Sequence, residues 1–380
     1  MGAGIGGLAA ALALRQAGWN VTVVEQTATP RELGFALLLA PNAMHALGRL
    51  GLADTVRAGG AIVESGEIRR PDGRVLRRFD ASAVSRALGE DSVCVLRPML
   101  HGALLDAVGA EALRLDQPVR AFRQEGESVV VEGPAGPLGA ATLVVGADGV
   151  GSVIRRQLHP DEPAASSSGL FAIRGVALDA GAHLNGVSGA QYLGRGIEAG
   201  IARASERAVY WYVSLRADHV AGLGGTSDPL ALVRRATEPF HASFRAIVEA
   251  TRPEDLRLDP LFTRAPLTSW GAGSVTLLGD AAHPMLPHAG QGAAQALEDA
   301  VALGQLMCPG QAVPEALRQY ERVRQRRTSK VVALAQRNAR VASIDSRLGC
   351  ALRDVVIRTV PAALILKSQI ALGRPPDASR

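Results

Sequence analysis

The chain opens MGAGIGGLAA, and Gly2, Gly4 and Gly7 form G-x-G-x-x-G. In this spacing the first glycine permits a tight turn and the second lets the backbone approach a pyrophosphate. The third lets a helix lie close to a strand, and the N-terminus of that helix attracts phosphate charge. Glu25 ends the run VTVVE, where a carboxylate accepts hydrogen bonds from a ribose diol. A second cluster lies in LLGDAAHPMLPHAGQGAAQALEDA, residues 277 to 300. There Asp280 follows a buried strand and can accept hydrogen bonds from a polyol. Pro284 and Pro287 stiffen the loop, and Gly290-Gln291-Gly292 opens a helix whose free N–H groups favour a developing anion. A third loop, VVGADGVGSVIR, carries Asp148, Gly149 and Arg155 in a turn that can approach phosphates or organise arginines. His283 and His288 sit inside the second cluster; a hydrogen bond within the loop accounts for His283, and His288 faces either the pocket or solvent.

These residues require particular elements beneath them. LAAALALRQAG has no breaker before Gly18 and predicts a helix. VTVVE predicts a strand, and PNAMHALGRLGL a helix opened by Pro41. Pro71-Asp72-Gly73 within SGEIRRPDGRVLRRFD signals a hairpin. LRPMLHGALLDAV reads as a helix from Pro98, and TLVVGADG and SVTLLGDAAHP as buried strands ending in loops. From about Ser168 to Asp259 strands dominate, with one helix near DPLALVRRATEPF. Tyr210 and Tyr212 alternate with Trp211 and so share one face. Tyr192, Tyr210 and Tyr212 are candidates over a pocket, with core packing expected for at least one of them. The C-terminal third reads as helical. The fold expected is α/β: a discontinuous Rossmann-like domain, an inserted β-sheet domain and C-terminal helices. The boundaries expected are 1–60, 90–167 and 260–330 for the nucleotide domain, 61–89 and 168–259 for the sheet domain, and 331–380 for the helical segment.

Composition narrows the function classes. Apolar residues make up 47% of the 380 and charged residues 20%, as in a globular protein. The net charge of +5 comes from scattered arginines, with Lys330 and Lys367 the only lysines. That dispersion argues against nucleic acid, and RQYERVRQRRTSK reads as a solvated helix face. The three cysteines, Cys94, Cys308 and Cys350, are far apart and form no C-x-x-C pair, which argues against structural zinc and a disulfide framework. VVIRTVPAALILKSQIAL is interrupted by Arg358, Pro361 and Lys367 and reads as a packed helical segment, not a membrane anchor. With the glycine loop at the N-terminus no signal peptide is expected, and a cytoplasmic monomer or homodimer is.

Taken together, the three loops resemble those of the FAD-dependent aromatic hydroxylases, single-component flavoprotein monooxygenases related to para-hydroxybenzoate and salicylate hydroxylases. The middle motif GADGxxSxVR is matched by Gly146, Asp148, Gly149, Ser152 and Arg155. The late motif GDAAHPMxPxxGQGxxxAxEDA is matched from Gly279 through Ala300. VLRPMLHGALL, FAIRGV, TRAPLTSW and YERVRQRR are smaller echoes, and the match spans nearly the whole chain in order.

The resemblance implies FAD, with Gly2, Gly4 and Gly7 at its pyrophosphate and Glu25 at the adenosine ribose. It places Arg97 at the ribityl–phosphate region and Asp280 on the ribityl chain. Asp148 and Gly149 fall near the pyrophosphate, and Pro287, His288 and Gly290 to Ala293, including Gln291 and Gly292, fall around the isoalloxazine. It further implies NAD(P)H as a transient reductant without a nucleotide domain of its own, and dioxygen forming a flavin C4a-hydroperoxide. That species hydroxylates a small aromatic substrate, and no protein nucleophile is needed. Substrate is expected between the sheet and the Pro287 loop. GFALLLAP suggests an apolar pocket, unless Arg174 or Arg203 points inward.

The sequence departs from the family pattern in four places. A second glycine after Gly34 is replaced by Ala36, GFALLLAP is aliphatic, Gly151 replaces a bulky residue and Arg203 replaces a common proline. An FAD-dependent epoxidase or reductase on the same fold, and a flavin-free or weakly flavinated inactive relative, are the alternatives. A flavin halogenase lacks support, since no W-x-W-x-I-P stretch is present. Finally, only Met1 precedes the glycine loop. A central strand is expected ahead of it, so an upstream start is expected, and the chain as written is expected to be poorly flavinated and unstable.

Overall fold

A computed structural model describes residues 1–29, 35–308 and 310–375. Gly34, and with it the expectation attached to that glycine, lies outside the described residues. The first helix, Ile5–Gln16, is buried over most of its surface because its alanines let neighbours approach. It crosses the helix Gly292–Leu306. A side chain at Gly304 would fall 2.8 Å from the carbonyl oxygen of Ala13, so the two helices depend on small residues where they meet. This pair and the helices Pro41–Arg49 and Arg97–Val108 enclose one continuous apolar core.

Two short parallel strand pairs carry the loops. Val23–Val24 pairs with Leu113–Arg114, and Val144–Gly146 pairs with Val275–Leu277. Met1 lies between them. Its ammonium donates to the Val145 carbonyl at 2.9 Å, its own carbonyl accepts from Ala147 N–H at 2.9 Å, and Gly2 N–H donates to the Val24 carbonyl at 2.8 Å. Beside Met1 runs a cavity of about 600 Å³ walled by Val21, Val23, Leu143, Val145, Leu14 and Ala10. The run VTVVE, expected as a five-residue strand, is a strand only at Val23–Val24. It has a ladder partner on its outer side alone, and the ladder stops where Leu113–Arg114 ends.

The second layer is a seven-stranded sheet in the order Leu256–Thr263, Ser166–Leu178, Ala208–Arg216, Ile197–Arg203, Gly189–Leu193, Ser65–Arg69, Val75–Asp80. Its pairs are antiparallel, except that Gly189–Leu193 runs parallel to Ser65–Arg69. The hairpin around Asp72 thus joins the sheet as expected. Alternation divides the side chains. Ile173, Tyr192, Ile201, Val209, Trp211 and Val213 pack under the helices Pro229–Ala236 and Ala242–Glu249. The opposite face carries Arg174, Glu198, Tyr210, Tyr212 and Ser214.

Three details differ from the sequence reading. The sheet segment holds three helices instead of one, with Ala217–Gly222 added to the two above. The strand Leu256–Thr263 runs through the boundary expected at 259. The helix Val313–Ala342 crosses the boundary expected at 330 without a break, since no proline or glycine follows Pro314 within it. The helices Arg347–Thr359 and Ala362–Gly373 then meet at 90°. They were expected to be packed, yet Leu352, Val355, Val356 and Leu364 are exposed. Polar anchors hold the first of them: Arg353 donates to the carbonyls of Leu193 and Gly194, and Arg77 to those of Ile357 and Arg358. Among the described residues no single helix is long and apolar enough to cross a membrane.

Candidate cofactor and substrate site

The glycine loop is built for close approach. Gly2 has φ +94°, and a side chain there would meet the Ala147 carbonyl at 2.5 Å; one on Gly7 would lie 1.9 Å from the Gly2 oxygen. Helix Ile5–Gln16 has no side-chain cap and no acidic residue in its first turn, so its terminal N–H groups are left for an external anion. Glu25 stands beside them. One of its oxygens accepts from Ala3 N–H at 2.8 Å and the other from Thr27 N–H at 2.9 Å. The second oxygen also accepts from Thr27 Oγ1–H at 3.0 Å, so the oxygen facing Ala3 is the one that retains a lone pair for a diol. Buried His101 holds the loop from behind through Nε2 and the Ala3 carbonyl, 2.7 Å apart. The sequence reading did not single out His101, and its place within the LRPMLHGALL echo was the available signal.

In the middle loop, Asp148 Oδ2 accepts from Val153 N–H at 2.7 Å, whereas Oδ1 is buried with no partner among the described residues. Gly149, at φ +75°, turns the chain. Ser152 caps the helix Val153–Leu158. Arg155 does not reach the loop's open face. It is fully buried, paired with Glu162 at 2.6 Å, and donates to the carbonyls of Ala281 and Ala282 at 2.9 and 3.0 Å. It therefore ties the middle motif to the late one.

The late loop is anchored by a buried charge network. Asp299 accepts from Gly279 N–H at 3.0 Å, lies 2.6 Å from His283 Nε2 and pairs with Arg324 at 2.6 Å. Glu298 binds Arg324 and Arg327, both at 2.6 Å, and accepts from Asn42. Burial raises the Asp299 carboxyl, but His283 and Arg324 outweigh it and hold it at about 2. His283 thus braces the loop. Asp280 is left exposed. Arg97, at the start of helix Arg97–Val108, donates its N–H to the Phe35 carbonyl. Pro287 begins a short turn, Gly290 adopts φ +61°, and Gly292–Leu306 begins after Gln291 with no side-chain cap. Ala293 lies in its first turn. Gln291 is buried and accepts from Asn42 at 3.0 Å, so its side chain positions the helix start.

The sheet meets the turn that begins at Pro287 through Ser214 and Glu198. Tyr210 and Tyr212 stack at 6.2 Å, and Tyr212 O–H donates to Glu198 at 2.7 Å. Arg174 lies on this face, over the Phe35 ring at 5.1 Å and paired with Asp259 at 2.5 Å. His288 brings Nε2 to 3.3 Å from Ser214 Oγ. Two sequence candidates point elsewhere, because their positions fall on the other phase of the alternation. Tyr192 is buried against Phe240 and Phe244, and its hydroxyl accepts from Arg69. Arg203 contacts the Glu206 carbonyl at 3.5 Å, by an exposed turn. Glu198 was not singled out in the sequence; only the parity of GIEAGIAR carried it.

Two uncapped helix starts, an exposed polyol acceptor at Asp280, a diol acceptor at Glu25 and an unpartnered carboxylate oxygen on Asp148 fit an adenine dinucleotide with a polyol linker, as in FAD. A family described as "FAD binding domain" matches residues 1–335. The chain is 31% identical to aurachin C monooxygenase/isomerase of Stigmatella aurantiaca over 360 residues, covering 94% of this chain and 92% of that one. It is 31% identical to 6-hydroxynicotinate 3-monooxygenase of Bordetella bronchiseptica, covering 89% and 90%. Its fold matches Klebsiella pneumoniae HpxO complexed with FAD and uric acid, with TM-score 0.91, 24% identity, and coverage of 98% and 95%.

Proposed function

The chain belongs to the FAD-dependent aromatic hydroxylases, and from that premise we propose that it hydroxylates a small aromatic substrate held between the seven-stranded sheet and the Pro287 turn. NAD(P)H supplies the electrons. One atom of dioxygen enters the ring and the other leaves as water. Bound FAD supplies the redox and oxygen chemistry; the protein's residues bind, orient and exclude water.

Gly2, Gly4 and Gly7 with the first helix hold the pyrophosphate, and Glu25 holds the adenosine ribose. Asp280 and Arg97 serve the ribityl end, and Asp148 and Gly149 flank the phosphates. The N-terminus of Gly292–Leu306, with Gly290, Gln291 and Ala293, would border the ring system, and its free N–H groups would favour negative charge there. Ala36, Cys94, Val176, Ala204 and Ala208 form a small apolar cluster beside Tyr210. It keeps the sheet side of the pocket dry, as the oxygen chemistry requires.

The observation that carries this reading is the meeting of the Pro287 turn with the aromatic sheet face, where His288 lies beside Ser214 and Glu198, next to the exposed Asp280 and an uncapped helix start. The test is to purify the protein and measure flavin absorbance. NAD(P)H oxidation and peroxide release are then followed across a panel of hydroxylated aromatics. Bound flavin, with oxidation stimulated by an aromatic and coupled to its hydroxylation, is expected. Absence of flavin, or oxidation yielding only peroxide with every aromatic, would refute the proposal.

A further inference from the structure

The pocket face of the sheet contains one buried carboxylate, Glu198, only 3% exposed. Its Oε1 accepts two hydrogen bonds, from Tyr212 O–H at 2.7 Å and Gln191 N–H at 2.7 Å. Its Oε2 has His288 Nε2 at 3.6 Å, too long for a normal hydrogen bond. His288 is buried too, with 2% of its side chain exposed and Nδ1 without a partner among the described residues. Burial pushes this histidine below its ordinary range, while Glu198 pulls the other way. Burial and Glu198 keep Tyr212 far above the ordinary tyrosine range, so its hydroxyl remains a donor.

Among the described residues no arginine or lysine lies within 4 Å of Glu198. Arg174 and Arg257, opposite each other on neighbouring strands, share the single carboxylate of Asp259 at 2.5 and 2.6 Å. Arg216, farther along the strand, is paired with Asp218. A buried carboxylate normally has its lone pairs filled. Here one oxygen is well served, and the other meets a histidine beyond bonding range in the turn that borders the substrate position.

We propose that Glu198 is the specificity-determining acceptor of this pocket: its Oε2 takes the O–H or N–H of a neutral aromatic substrate, and the pocket rejects aromatic carboxylates. The inference rests on the substrate placement given above and deepens it by naming the substrate class. A hydroxyl- or N–H-bearing ring completes the hydrogen bonding of Glu198. An aromatic acid brings a second anion against a buried one that, among the described residues, has no arginine or lysine within 4 Å to offset it, an arrangement that opposes binding. Tyr212 and Gln191 fix the carboxylate through Oε1, and Ser214 and His288 border its Oε2 side. Tyr210 and Tyr212 supply the ring surface against which the substrate stacks.

The experiment compares ligands of one shape: 2-naphthol, 2-methoxynaphthalene and 2-naphthoate, with phenol, anisole and benzoate as the single-ring set. Affinities are measured by calorimetry on the flavinated protein, which requires no turnover. Naphthol is expected to bind about tenfold or more tighter than either partner, the size of one charge-assisted hydrogen bond at the low end of its range. In Glu198→Gln, which keeps shape and removes charge, the naphthol-to-naphthoate preference is expected to fall by about tenfold or more. Naphthoate binding as tightly as naphthol to the unaltered protein overturns the proposal, as does an unchanged ratio in Glu198→Gln. Flavin content is read from the same samples. Its absence would count against the cofactor reading, while the ligand ratio still decides the role of Glu198.

Discussion

Replacing Arg324 by Met tests how the late loop is held. Arg324 is fully buried and donates to Asp299 at 2.6 Å, Glu298 at 2.6 Å, and the Gln295 side-chain and backbone oxygens at 2.9 and 3.2 Å. Methionine fills similar space but supplies no charge. Removing one partner of a buried pair usually costs about 3–5 kcal/mol, because the other charge is left uncompensated. The remaining contacts moderate this. Glu298 keeps Arg327 and Asn42, and Asp299 keeps His283 and the Gly279 N–H. The low end, about 3 kcal/mol, is therefore expected. With an unfolding entropy of about 0.8 kcal/mol/K for a chain of this size, that is a fall in melting temperature of roughly 4 °C. Flavin affinity should fall with it, since Asp299 positions the Gly279–Asp280 turn. Adding Asp299→Asn should recover part of the loss, because the uncompensated charge disappears. Calorimetric melting and FAD titration measure both. A single variant within about 0.5 kcal/mol of the unaltered protein, the range of an ordinary surface change, would refute the network's structural role.

Three further outcomes are expected. Asp280→Ala should weaken FAD binding by about 1.5–3 kcal/mol, the worth of a hydrogen bond to a charged group; an unchanged dissociation constant in the titrated apoprotein would remove Asp280 from the site. Asp299 has a folded pKa of about 2 against an ordinary 3.8, so it contributes about 2 kcal/mol of stability that is fully present above about pH 4. That contribution is lost as pH falls through about 2, and Asp299→Asn should flatten the acid limb of a denaturation series. A short Val/Ile extension ahead of Met1 should enter the cavity between Val23–Val24 and Val144–Gly146, adding ladder hydrogen bonds of about 1 kcal/mol each. A Gly/Ser extension of equal length should add little; equal melting temperatures for the two would show that the cavity does not receive a strand.

What could be read from the sequence depended on how far each signal was local. The glycine loop, the GDAAHP turn and the hairpin at Asp72 are fixed by short-range geometry, and each lies where its residue types required. The length of the strand at VTVVE was not local. It depends on which neighbours offer a ladder, and Leu113–Arg114 offers two residues. The sheet's two faces were half legible. Alternation put Tyr210 and Tyr212 together, but it left open which face meets the groove. That choice is made by Phe240 and Phe244, distant in sequence, which claim Tyr192 and Trp211 for the core. Once that phase is set, every second residue of the neighbouring strands is assigned as well. Ile197, Ala199 and Ile201 go to the core and Glu198 turns to the groove. A lone glutamate in GIEAGIAR reads as a surface residue until its strand is seen to be interior. It then becomes a buried anion whose partners, Tyr212, Gln191 and His288, come from three separate segments. The features that shape this face of the sheet are therefore the long-range ones. A motif match points to the cofactor far more readily than to the substrate, because the glycine and GDAAHP loops are local in sequence whereas the sheet face is set by the relative phase of strands.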